Sequence, residues 1–166
     1  MKIRNVIGFI ILAAVVTFSG CGGGGGDGGG PPAQPVRANV LIAFDPPVTN
    51  LAGLDLILNS GPGATFDNTN QPIAAINAAE GSATLTLGNF DATANTNRIV
   101  WINGSAAGIN TGATPIIRVT YDVAAGSGVP TFGLASQATV TAIAPDSGPT
   151  TPPVSAANLV VTVTYE

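Results

Sequence analysis

The chain has 166 residues, with nine Asp and Glu against five Lys and Arg, 22 glycines, 13 prolines, a single cysteine and no histidine. That length holds one ordinary domain with targeting and linker segments, not two comfortable cores. The missing histidine removes the usual general base, the usual Ser or Cys activator and the commonest transition-metal ligand, and the lone cysteine excludes internal disulfides, Cys-rich zinc sites and paired-cysteine haem attachment.

Residues 1–20 open with Lys2 and Arg4, run through the apolar stretch VIGFIILAAVVTF (Val6 to Phe18), and end in the small residues Ser19 and Gly20. A short basic region, an apolar core and a small-residue exit form the pattern of a signal peptide. The apolar run of 13 residues is short for a span, since a transmembrane helix needs roughly 20. The junction FSGC then resembles the lipobox of bacterial lipoprotein precursors: an apolar residue, two small ones and cysteine. The resemblance implies that Phe18, Ser19 and Gly20 are recognised by the signal peptidase. It also implies that Cys21 receives a diacylglycerol and becomes the mature N-terminus. Phe18 stands where leucine is more usual in that family. Position 22 is Gly, not the aspartate that retains lipoproteins on the inner membrane of well-studied enteric bacteria, so the resemblance favours the outer membrane. Multiple acyl chains on one residue make a stable anchor without a span. Removal of residues 1–20 leaves three Arg and no Lys against nine acidic residues, a formal net charge of −6. Such a surface has no footprint for nucleic acid and no polybasic patch for anionic lipid.

Residues 21–36 follow the signal-like segment, and after the cysteine the stretch GGGGGDGGGPPAQP (Gly22 to Pro35) has no apolar side chain larger than alanine or proline. Glycine loses the most conformational entropy on ordering, so this segment is expected to be a flexible tether. Its r.m.s. reach is about 20 Å and its full extension about 50 Å. The glycine run imitates a phosphate-binding loop, but no strand precedes it and no Lys-Ser/Thr follows.

Residues 37–166 read as short β-prone runs divided by Gly, Pro, Asn and Asp. In chain order the expected strands are Ala38 to Phe44, Leu51 to Leu58, Ser82 to Gly88, Arg98 to Asn103, Pro115 to Val123, Ala138 to Ile143 and Ala157 to Glu166. In SATLTLG, Ala83, Leu85 and Leu87 alternate with Ser82, Thr84 and Thr86. In PIIRVTYDV, Ile117, Val119, Tyr121 and Val123 are expected inward, with Arg118, Thr120 and Asp122 outward. In ANLVVTVTYE, Leu159, Val161, Val163 and Tyr165 share one face, with Asn158, Thr162 and Thr164 on the other. Only Ile73 to Glu80 has the look of a short helix. The pattern predicts an all-β fold, an antiparallel β-sandwich of jelly-roll or immunoglobulin-like type with about seven to nine strands. Trp101, flanked by Ile99, Val100 and Ile102, reads first as core and otherwise as a ligand-stacking platform.

Two loops carry oxygen ligands suited to calcium: FDNTNQ with Asp67, Asn68 and Asn70, and FDATANTN with Asp91, Asn95 and Asn97. EF-hand spacing is absent from both, and Asx turns explain the same residues more simply. No other cofactor is implied. The carboxylates lie mostly beside Gly, Asn or Pro, so the domain is expected to be non-catalytic.

The passages LAGLDLILNSGPGATF (Leu51 to Phe66) and GATPIIRVTYDVAAGSG (Gly112 to Gly128) resemble strands of the cohesin-like and carbohydrate-binding jelly rolls of bacterial surface proteins. The Asp-Pro that often follows the early strand in cohesins stands one strand sooner here, in FDPP (Phe44 to Pro47). IAPDSGP (Ile143 to Pro149) resembles the opening of immunoglobulin-like transcription-factor-type repeats but lacks the glycine pair that follows it there. The resemblance implies an interaction module that binds another envelope or extracellular protein. The alternatives are a glycan-binding or adhesive domain acting on polysaccharide, and a structural subunit of a surface assembly.

Overall fold

The period-two alternation of apolar and polar residues becomes two antiparallel sheets, each burying one face against the other. The computed structural model describes residues 34–69, 73–81, 83–104, 108–135, 141–143, 149–150 and 153–166. Its strands are β1 (Arg37–Phe44), β2 (Gly53–Ser60), β3 (Ala64–Thr65), β4 (Ile73–Ala75), β5 (Ala83–Asp91), β6 (Thr96–Asn103), β7 (Ile117–Val123), β8 (Phe132–Leu134), β9 (Thr141–Ile143) and β10 (Leu159–Tyr165). Sheet 1 has the order β10-β1-β7-β3, with β4 also paired to β7. Sheet 2 has the order β5-β6-β2-β8, with β9 also paired to β2. The fold is therefore the expected all-β sandwich. The stretch expected as a short helix instead divides into β4 and a single 3-10 turn, Asn77–Ala79. The Ile73–Ala75 half pairs with Val119, Arg118 and Ile117, and that ladder overrides a weak local helix preference.

The core is aliphatic. Val40, Ile42, Ile117 and Val119 of sheet 1 meet Leu54, Leu56, Leu58 and Ile99 of sheet 2, all at 0% exposure. Each such side chain contributes about 1.5–3 kcal/mol on burial. Tyr121 adds an aromatic knot across the two layers, with ring centroids 4.8 Å from Phe132, 5.6 Å from Phe66 and 6.3 Å from Phe90. β7 and β10 keep the expected faces, with Arg118, Asp122, Thr162 and Thr164 exposed.

β5 keeps its alternation but turns its apolar set outward: Leu85 and Leu87 are each 37% exposed. Its register with β6 places Gly88 opposite Ile99 and Phe90 opposite the buried Asn97, so the even-numbered positions face the core. Glycine leaves room there, since a Cβ at Gly88 would lie 2.6 Å from Ile73 Cδ1 and 2.8 Å from the Phe66 ring, and those side chains would have to shift to admit it. Period two assigns residues to common faces without saying which face is buried. On β5 the pairing of Gly88 and Phe90 with the inward Ile99 and Asn97 decides it.

Candidate functional site

The two outer faces of the sandwich differ in chemistry. On sheet 1, Arg37 lies 3.7 Å from Asp122, Thr120 Oγ1 donates to Asn39 Oδ1 at 2.8 Å, and Asn39 Nδ2 donates to Glu166 Oε1 at 2.8 Å. Polar groups on β1, β7 and the C-terminus thus satisfy one another across the ladder, which suits permanent contact with water.

On sheet 2, β5 and β6 place Leu85 opposite Ile102 and Leu87 opposite Val100, and β2 continues the two rows with Gly53 and Asp55. Leu85 and Leu87 are exposed, while Val100 and Ile102 are half-buried. The patch ends at one ion pair: Arg98 Nε donates to Asp55 Oδ1 at 3.0 Å and Nη2 to Asp55 Oδ2 at 2.5 Å. The Asp55 carboxylate raises the Arg98 pKa further above its ordinary value through these hydrogen bonds and its charge. Asp55 and Arg98 therefore neutralise each other and bound the apolar rows with a fixed polar rim. Adjacent exposed leucines on a sheet face are the kind of patch that marks an interaction surface.

The calcium-loop residues are held by turn chemistry. Asp67 Oδ1 accepts from Thr69 N at 2.7 Å, and Asp91 Oδ1 accepts from Thr93 N at 2.8 Å and Ala94 N at 3.1 Å. Asn95 has φ 52° in the β5–β6 turn, a left-handed conformation that asparagine tolerates. Asn68 brings the two loops together: Phe90 N donates to its Oδ1 at 2.8 Å, and its Nδ2 donates to Phe90 O at 3.2 Å. The side-chain amide thereby pairs the free edge of β5 as a strand backbone would. Among the described residues no three His, Cys, Asp or Glu side chains form a metal-ligating group.

Two expected site residues lie in the core. Asn97 is at 0% exposure, with Nδ2 donating to Tyr121 Oη at 3.1 Å, so it belongs to the sandwich interior and not to the loop that carries Asp91. Trp101 is also at 0% exposure, which leaves no ring face for stacking a ligand. Its position on β6 turns it inward beside Ile99, and the core reading of the residue is the one that holds. Burial pushes the Tyr121 phenol above its ordinary pKa, against the Asn97 hydrogen bond, and burial raises Tyr165 in the same direction. Phe18, Ser19, Gly20, Cys21 and Asn70 lie outside the described residues.

Between β8 and β10 runs a groove of about 400 Å³ lined by Phe132, Leu134, Leu159 and Val161, with Asp45 on its wall. Sequence reasoning did not find this groove or the outward leucines. The alternation of β5 was legible, but its facing depends on its ladder with β6, and the groove depends on which strands end the two sheets. Comparison with known protein families, with curated proteins and with solved structures found no match.

Proposed function

We propose that this chain is an exported, lipid-anchored protein of a bacterial envelope, most simply the outer membrane, whose sandwich is a non-catalytic module for binding another protein. The anchor rests on the resemblance of FSGC to a lipobox, with Cys21 as the acylated residue and the glycine-rich tether as spacer. One observation carries the binding reading: the outer face of sheet 2 exposes Leu85 and Leu87 at 37% each beside Val100 and Ile102. The partner best suited to it is an exported protein with an apolar docking surface rimmed by Lys or Arg. The mature chain's formal charge of −6 favours encounter with a basic rim. A stacking role for glycans has less support, because Trp101 and Tyr121 are buried. The test is capture from native envelope extract by the full-length chain and by Leu85→Glu/Leu87→Glu. A single stoichiometric protein held by the first and released by the second supports the reading. Retention of the same protein by both contradicts it.

A further inference from the structure

Natural sandwiches protect their sheet edges, and most edges of this one are protected. β3, β4, β8 and β9 are only two or three residues long. β5 is longer, but Asn68 occupies its edge at Phe90, and its ladder is irregular between Ala83 and Leu85. Short strands, plugs and irregular ladders are the usual devices that stop strand addition. Among the described residues β10 has none of them. Its seven residues, LVVTVTY, contain no charge, proline or glycine, and among the described residues it pairs only with β1.

The hydrogen-bonding phase of the free edge follows from the β1 ladder. Arg37 and Glu166 exchange both backbone bonds, at 3.1 and 3.0 Å, and Asp45 N donates to Asn158 O at 2.8 Å at the far end of the same register. Alternate residues in an antiparallel ladder turn their N–H and C=O to opposite sides. Thr164, Thr162 and Val160 therefore bond to β1, while Tyr165, Val163, Val161 and Leu159 present their N–H and C=O groups outward. The same four side chains point toward the core. Leu159, Val163 and Tyr165 are nevertheless only half-buried, as expected beside a missing neighbour.

We infer that β10 is a self-complementary edge through which two copies of this chain pair antiparallel about Thr162. Centred there, Val161 lies opposite the second copy's Val163 and Leu159 opposite its Tyr165, so all outward-turned backbone groups meet in hydrogen-bonded pairs. That arrangement makes about eight inter-chain bonds. Thr162 meets its own equivalent in a close, non-hydrogen-bonded pair on the outer face, and Val160 meets Thr164. No like charges are brought opposite each other, even though the mature chain has a formal charge of −6. The 400 Å³ groove beside Leu159 and Val161 gives the incoming apolar side chains room. Opposed side chains in an antiparallel pair share a face, so the twofold axis stands perpendicular to the sheet. Both copies then turn their Leu85/Leu87 faces the same way, and the dimer presents two docking surfaces to one partner array.

The test is sedimentation of the full-length chain in mild detergent over the micromolar range, with Thr162→Lys and Val163→Pro as variants. Thr162 is exposed, and the Val163 N–H is not used by β1, so both changes strike the second copy more than the fold. The expected result is a dimer mass that falls twofold in each variant. Thr162→Lys decides the matter if Val163→Pro does not fold. In a Cys21→Ala background, Thr162→Cys should cross-link on oxidation, because the paired Cα atoms stand about 4.5 Å apart, within disulfide reach. Thr164→Cys should not, because its equivalents lie about 14 Å apart. A monomeric parent chain, or equal cross-linking at both positions, overturns the inference. So does a monomer that protects its β10 amides only on binding an extended peptide.

Discussion

Replacing Tyr121 by Phe should destabilise the sandwich, and replacing Asn97 by Leu in the same chain should restore what was lost. Asn97 on β6 and Tyr121 on β7 are both at 0% exposure, and the Asn97 Nδ2 to Tyr121 Oη bond of 3.1 Å joins the two sheets through the core. Among the described residues Asn97 Oδ1 has no partner. A buried amide with one end satisfied is a costly group, and Tyr121→Phe leaves both ends unsatisfied for an added cost of about 1–3 kcal/mol. At roughly 3 °C per kcal/mol for a domain of this size, the melting temperature should fall by about 3–9 °C. Leucine has nearly the shape of asparagine, so Asn97→Leu with Tyr121→Phe removes both polar groups without opening a cavity. The double variant should match the parent chain or exceed it by about 1 kcal/mol. Urea unfolding followed by circular dichroism measures all three chains. A double variant less stable than Tyr121→Phe alone would refute the reasoning, since it would mean that the amide stabilises the core by something other than this bond.

Alkaline stability should report the same buried phenol. The folded protein holds Tyr121 protonated above the pH at which the unfolded chain ionises, so stability is complete below about pH 10 and falls above it by up to about 1.4 kcal/mol per pH unit. Tyr121→Phe should reduce that slope in urea melts between neutral and strongly alkaline pH, leaving the smaller part due to Tyr165; an unchanged slope would exclude Tyr121 as its source. Asn68→Ala should expose the Phe90 backbone groups, cost about 1 kcal/mol in thermal melts and speed amide exchange at the β5 edge, and unaltered exchange there would show that Asn68 does not close the edge. Arg98→Ala should leave thermal melts nearly unchanged, because the Arg98 side chain of its pair with Asp55 is largely open to solvent; a clear fall in the melting temperature would show that the pair holds the β2–β6 ladder. Cys21→Ala should move the protein from the membrane fraction to the soluble one in its native host, and continued membrane association would remove the lipid anchor from the account.

Most of the fold was legible because its strands alternate cleanly. Ile117 to Val123 and Leu159 to Tyr165 show both their faces and their inward sides in sequence, since charged or threonine residues mark the solvent side. Leu85 and Leu87 were legible as neighbours on one face but not as an outer face. Their direction follows from the ladder with β6, which turns Gly88 and Phe90 inward under Phe66 and Ile73, and those neighbours are distant in sequence. Asp67, Asn68 and Asp91 carry the chemistry of turns and of cation sites equally. What distinguishes Asn68 is that its amide finds the Phe90 backbone 22 residues away. The free edge of β10 is invisible locally, because it depends on sheet order.

The claim that the outer face of sheet 2 binds a protein is tested most directly by titrating the captured partner against the full-length chain and two variants. Leu85→Ala/Leu87→Ala removes apolar surface that is a little over one-third exposed at each position. Loss of its burial should cost about 1–2 kcal/mol, or roughly tenfold in affinity. Thr120→Ala/Thr164→Ala alters the polar face of sheet 1 and should bind as the parent chain does. Equal affinity for the parent and the leucine variant, or a loss confined to the threonine variant, would contradict the account.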